Sequence, residues 1–224
     1  RVVTLVEPPT KTAPLINRER PARWLKLLNS SEDWNLTTRE NEQLARRALR
    51  WPRGKVLGGS SRINAMIWFP PTRKDLQMLV NASGGAWSVS EMQQDLQSLT
   101  LLTRPEQPAW QSESTHRFLN AAKQLDEGTA WTYLRLNRSG RRWNPAELFN
   151  TAQANGSIEV QRTTVNRLIC KGDRVIGVAT WDDRGKNEIL ANKGVIICAG
   201  AIATPAILMR SGIGPRDHLK RTGI

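Results

Sequence analysis

The chain opens on RVVTLVE, Arg1 to Glu7, an almost unbroken run of β-branched and leucine residues. A strand of this kind is buried on both faces, as in parallel sheets covered by helices, and it needs a neighbour on each edge. Those neighbours must come from elsewhere in the sequence. The fold class expected is therefore α/β, with distant segments meeting in one sheet.

The rest of the chain supplies suitable partners. Pro8, Pro9, Pro14 and Pro21 break the next stretch, which reads as a long wrapped connection with one short helix around Ala22 to Leu28. Helices are predicted over Arg73 to Leu79, from a Ser88 or Ser90 cap through EMQQDLQSLTLL, and over Ser114 to Leu125. The third carries Phe118, Leu119, Ala122 and Leu125 on its apolar face. From Ser157 the period changes. Ile158 to Val160, Val165 to Cys170, Val175 to Trp181, Glu188 to Ala191 and Gly194 to Cys198 read as strands, with KGD and DRGK turns. The last run enters AGAIATPAILMRSGIGP, a glycine turn feeding a helix that ends near Ser211 and Gly212. Strand, small residues and helix in that order form a phosphate-site layout.

Charge narrows the ligand class. Lys and Arg number 33 against 20 Asp and Glu, a net charge of +13, which calls for a polyanionic partner or an anionic ligand. The basic clusters lack the aromatic interleaving and recognition-helix context of nucleic-acid readers, so no nucleic acid is expected. Cys170 and Cys198 sit in apolar runs and read as buried free thiols. His116 and His218 have no metal-ligand spacing. No run reaches membrane-spanning length and no secretory segment opens the chain, so the expected location is cytoplasmic.

The stretch WPRGKVLGGSSRIN, Trp51 to Asn64, places Gly58, Gly59, Ser60 and Ser61 behind Arg53 and Lys55. Small residues and hydroxyls can hold oxyanions, or can simply form a tight turn, and both readings stand on the residues alone. The stretch is neither a Walker loop nor a Gly-x-Gly-x-x-Gly fingerprint. Glu7 ends its strand either as a surface acid or as an acceptor for the ribose hydroxyls of a dinucleotide.

Together, RVVTLVE, WPRGKVLGGSSRINAMIWF and KGVIICAGAIATPAILMRSGIGP resemble the glucose-methanol-choline family of FAD-dependent oxidoreductases, choline and alcohol dehydrogenases among them. EDWNLTT and HLKRTGI extend the resemblance over most of the chain. It implies a partial FAD/NAD(P)-binding Rossmann-like fold with an inserted, mostly helical segment. The implied divisions are 1–85 as part of the FAD-binding region, 86–156 as a helical connection toward a substrate domain, and 157–224 as strands with the second signature.

By the same resemblance, Glu7 holds the adenosine ribose and the backbone of Val165 meets adenine. Arg53, Gly58, Gly59, Ser60, Asn64 and Ala65 follow the diphosphate toward the flavin, with Asn64 to Met66 near the flavin ring. Gly200, Thr204 and Pro205 line the dinucleotide side. Relatives with covalent flavin have histidine immediately before the asparagine. This chain has Ile63, so noncovalent FAD is implied. Pro70 and Pro71, Asn144 and Pro145, Phe149 and a short stretch around AKQLDEGTAW depart from the common pattern.

The function implied is the FAD-binding portion of an oxidoreductase acting on alcohols, with a small-molecule alcohol as substrate and a complementing chain as a further partner. The alternatives are a noncatalytic remnant or interaction module and, remotely, a basic nucleic-acid binder. The family's histidine base lies beyond the second signature, and His116 and His218 read as ordinary helix residues, so no catalytic residue is assigned here. The chain alone is expected to retain FAD weakly or not at all, and to show no alcohol-dependent flavin reduction.

Overall fold

The computed structural model describes residues 2–11, 19–108, 110–122, 134–135, 137–182 and 185–224. The chain forms two compact units, one of Arg1–Lys11 with Ala146–Ile224 and one of Thr12–Pro145. In chain order, β1 (Val3–Glu7) belongs to the first unit. The second holds short antiparallel ribbons: β2 (Leu36–Thr37) with β3 (Arg50–Trp51), β4 (Ile67–Trp68) with β5 (Leu134–Arg135), and β6 (Asn137–Arg138) with β7 (Arg141–Arg142). Helices α1 (Arg73–Ala82), α2 (Val89–Thr103) and α3 (Glu113–Ala122) lie between β4 and β5 in sequence. The first unit resumes with α4 (Ala146–Ala154), β8 (Ile158–Arg162), β9 (Thr164–Lys171), β10 (Arg174–Asp182), β11 (Gly185–Leu190), α5 (Gly200–Arg210) and α6 (Arg216–Arg221).

In the first unit, β1 pairs in parallel with β8, from Val3 opposite Ile158 to Glu7 opposite Arg162. The ladder is closed at its ends by Val3 N–H to Ser157 O (2.9 Å) and Thr163 N–H to Glu7 O (3.0 Å). Partnership across some 155 residues is the distant pairing that an apolar opening strand demands, since parallel strands need long crossovers. Among the described residues it has this one neighbour, and Val3 stays 55% exposed.

Strands β9, β10 and β11 make an antiparallel meander in the order β11-β10-β9. Gly172, at φ 59°, gives the KGD turn the left-handed geometry that glycine supplies without strain. Leu168, Val178 and Ile207 form the core between meander and α5, with Val195 and Ile197 packed against it.

The Gly194 to Cys198 run expected as a strand has no strand assignment in the structure. Val195 and Ile197 turn inward and Ile196 outward at 89% exposure, so the run keeps the alternation of an extended chain without a ladder among the described residues. The same alternation corrects the cysteine expectation. Cys198 shares the outer side with Ile196, and both it and Cys170 are exposed.

Helix α5 stops on a Schellman motif: Gly212 N–H bonds Met209 O (2.9 Å) and Ile213 N–H bonds Leu208 O (2.9 Å), with Gly212 at φ 81°. Ser211 then ties the helix end to the meander. Its Oγ donates to Ile207 O (2.6 Å) and accepts from the Leu168 N–H (2.8 Å). Much of the second signature is therefore a helix stop and a clip to a strand.

In the second unit, α1 and α2 begin on reciprocal capping boxes, Thr72 with Asp75 and Ser88 with Glu91, which satisfy the first N–H groups of each helix. The short helix expected around Ala22 to Leu28 is present as a 3-10 helix over Pro21–Leu27. Its N-cap, Arg20, offers no side-chain cap, so the first N–H groups gain no partner that would favour longer winding. Helix α3 leaves Phe118 71% exposed instead of on a buried face, and Leu125 lies outside the described residues.

Candidate cofactor-binding site

The residues singled out from sequence fall into two groups, each within one unit. In the first unit, Glu7 ends β1 and Val165 is the second residue of β9, joined through the Thr163 bond to the Glu7 carbonyl. Gly200, at φ 82°, starts α5, and Thr204 and Pro205 lie in its first turns. A Cβ at Gly200 would meet no protein atom within 4 Å, so open space faces the helix start. Burial pushes the Glu7 carboxyl above its ordinary value of 4.5, with Arg162 pulling the other way. Its carboxylate accepts no hydrogen bond among the described residues, leaving acceptors for hydroxyl donors.

The second unit carries Arg53, Gly58, Gly59, Ser60, Asn64, Ala65 and Met66 on one continuous turn. Its path is fixed from both sides. Asp33, only 4% exposed, accepts from the Arg53 N–H (3.0 Å) and Asn35 N–H (3.1 Å) through Oδ1, and from the Asn29 N–H (3.0 Å) through Oδ2. The Trp34 N–H bonds Arg53 O (2.8 Å) and the Lys55 N–H bonds Glu32 O (2.7 Å), so EDWN and PRGK run as a short backbone pair. The Arg53 guanidinium lies over the Trp51 ring at 5.6 Å and donates to Pro52 O (2.7 Å).

After Lys55 the chain folds back on itself. A Cβ at Gly54 would fall on the Gly59 carbonyl, so only glycine allows that approach. Gly58 and Gly59, at φ 95° and 57°, open a 3-10 turn over Gly59–Arg62. Its hydroxyls have distinct roles. Ser60 Oγ accepts from the Gly54 N–H (3.1 Å) and keeps its own proton, whereas Ser61 Oγ–H donates to Gly58 O (2.6 Å). Of the two, Ser60 is the exposed one with a hydrogen to offer a ligand.

Ile63 and Met66 anchor the end of the turn at 3% and 2% exposure. Met66 is held at φ 63°, a conformation costing a non-glycine residue roughly 1–3 kcal/mol. The Asn64 side chain stabilises it, with Oδ1 accepting from the Met66 N–H (2.9 Å). Sequence reasoning passed over Arg142. It lies 4% exposed and donates from Nη1 to Asn64 O (2.7 Å), Asn64 Oδ1 (3.0 Å) and Ser61 O (3.3 Å). Burial, with the Arg62 guanidinium nearby, brings its pKa down to about 10, so it stays charged at neutral pH. The only hint in the sequence was GRRWNP, a basic pair beside a β-turn. Asp33 was legible only as part of EDWNLTT.

On the turn, Gly59 bordering open space, an exposed hydroxyl donor and buried cationic charge suit an anionic cofactor; in the other unit, taken by itself, Glu7 puts an acid at the end of a parallel strand. The sequence profile of GMC oxidoreductases matches residues 39–223. The chain belongs to the GMC oxidoreductase family. It is 31% identical over 229 residues to an uncharacterised GMC-type oxidoreductase of Mycobacterium tuberculosis, covering 89% of this chain and 43% of that protein. It is 27% identical to an oxygen-dependent choline dehydrogenase of Brucella canis, covering 86% and 40%.

Among solved structures, pyridoxine 4-oxidase from Mesorbium loti matches with a TM-score of 0.79 at 27% identity, over 100% of this chain and 49% of that one. An FAD-dependent oxidoreductase from Chaetomium thermophilum matches in fold at TM-score 0.79 and 19% identity, over 100% and 45%. The GMC chain thus has a mixed α/β, Rossmann-like fold with helical insertions. It spans less than half the length of these relatives. No described helix is long and apolar enough to cross a membrane.

Proposed function

We propose that this chain is the FAD-holding portion of a GMC oxidoreductase that acts on the CH–OH group of a small alcohol, and that it binds the cofactor noncovalently. The observation that carries the reading is the turn from Arg53 to Met66. It brings glycine backbone, one available hydroxyl and an oriented asparagine to a single surface while its packing residues stay buried. Arg53 and Ser60 would hold the diphosphate, with Gly59 giving it room and Gly58 making the left-handed start of the turn that brings them there. Asn64, Ala65 and Met66 would border the flavin. Glu7 would accept the ribose hydroxyls, Val165 would meet adenine, and Gly200, Thr204 and Pro205 would line the dinucleotide.

Ile63 supports noncovalent attachment, because a buried alkyl side chain has no atom to bond the flavin. When bound, flavin supplies the hydride acceptor for alcohol oxidation, and the protein contributes orientation and electrostatics. No residue described in this chain is assigned as the base that takes the alcohol proton. A complementing segment or chain would supply it, consistent with the longer relatives.

The test is FAD uptake by the purified chain, followed by acid precipitation. Saturable uptake with all flavin released to the supernatant supports the reading. Flavin remaining with the precipitate would contradict noncovalent attachment, and a chain that takes up no FAD either alone or joined to the remaining length of its relatives would contradict the cofactor role.

A further inference from the structure

Asn64 Oδ1 accepts two hydrogen bonds, from the Met66 N–H (2.9 Å) and from Arg142 Nη1 (3.0 Å). Only the carbonyl end of the amide can accept, so these bonds fix its orientation, and Nδ2 is left as a donor with two protons. The residue is exposed although the carbonyl is turned toward a buried guanidinium. The Arg142 Nη1 bond to Asn64 O (2.7 Å) holds the backbone of the same residue, so side chain and main chain move as one piece. Nε and Nη2 of Arg142 are buried with no partner among the described residues. Keeping a guanidinium there at such a desolvation cost calls for a role beyond filling space.

We propose that Arg142 is a positioning residue that turns the Asn64 amide so that Nδ2 donates to an acceptor atom of the flavin. The proposal rests on the FAD reading above and deepens it. Asn64 touches the cofactor, and Arg142 acts only through Asn64. Lysine is a poor substitute, because its ammonium is more strongly hydrated than a guanidinium and costs more to bury at this place.

The test uses the 224-residue chain and the variants Asn64→Ala, Arg142→Met, Arg142→Lys and Asn64→Ala/Arg142→Met. Equilibrium dialysis gives the affinities for FAD and for ADP, which has the diphosphate but no flavin. Asn64→Ala and Arg142→Met should each weaken FAD binding by about tenfold, the effect of one hydrogen bond, and the double variant should lose no more than either alone. ADP affinity should be unchanged throughout.

In the ligand-free protein, the two Asn64 side-chain amide protons should give nitrogen-15 cross-peaks displaced from those of a freely rotating asparagine, and both Arg142 variants should move the pair toward the free-asparagine positions. Additive losses, an ADP affinity that falls with FAD, or Asn64 cross-peaks indifferent to Arg142 would overturn the proposal. If wild-type chain, alone or joined to the remaining length of its relatives, takes up neither FAD nor ADP, the FAD reading fails, and with it the proposed contact to flavin. The cross-peaks then decide separately whether Arg142 orients Asn64. If Arg142→Met does not fold, Arg142→Lys replaces it in the cycle.

Discussion

Replacing Asp33 with alanine tests whether the Arg53 turn is set by one buried carboxylate. Asp33 accepts three backbone N–H groups, from Asn29, Asn35 and Arg53, at 3.0–3.1 Å. In Asp33→Ala each N–H loses its acceptor in a half-buried position. At about 1 kcal/mol apiece, the low end for such groups, the local cost is roughly 3 kcal/mol. Hydrogen exchange of the Arg53 and Asn35 amides should then accelerate about 100-fold, since 1.4 kcal/mol corresponds to a factor of ten. Asp33→Asn should fall between alanine and wild type. It keeps one carbonyl oxygen for Asn35 and Arg53 and sets an NH2 against the Asn29 N–H. Exchange at Arg53 and Asn35 within threefold of wild type in Asp33→Ala would show that the turn is held by other means.

Further substitutions address other links in the account. Gly54→Ala places a methyl on the Gly59 carbonyl, so the turn must open, at a cost of about 2–4 kcal/mol visible as a lower midpoint in urea. An unchanged midpoint would mean that the close approach is dispensable. Ser211→Ala removes the clip to the Leu168 N–H and should cost about 1–2 kcal/mol, with faster exchange at Leu168 as its signature. For Glu7, the raised carboxyl pKa means that the folded state holds its proton more tightly than the unfolded state. Its contribution to stability therefore declines as pH climbs from 4.5 through the folded value. Glu7→Gln should accordingly be more stable than wild type at pH 7 and lose that advantage below pH 4.5, as read by thermal melts across pH.

The opening strand, the meander and the helix capped by Ser88 were legible because each depends on local pattern: apolar period, turn glycines, and a serine placed three residues before an acid. Gly194 to Cys198 misled for a physical reason. Its alternation is that of a strand, but a strand is defined by its partner, and partnership is not encoded in the run itself. The glycine-rich turn was legible in outline from Gly58 and Gly59. Its supports were not, because Asp33 acts across 20 residues and Arg142 across 78. Ser60 and Ser61 look alike in sequence, and only the fold separates the hydroxyl that bonds Gly58 from the one left with a proton to donate.

The proposed cofactor role rests on the Arg53 to Met66 turn and, in the other unit, on Glu7 of β1. Titrating the chain with FAD while following backbone amide shifts by nitrogen-15 NMR tests it most directly, and weak binding is sufficient for the readout. Saturable shifts concentrated at Glu7, Gly58 to Ser60, Asn64 to Met66, Val165 and Gly200 are predicted. Shifts that do not saturate, or that scatter over the arginines and lysines of this +13 chain, would contradict it.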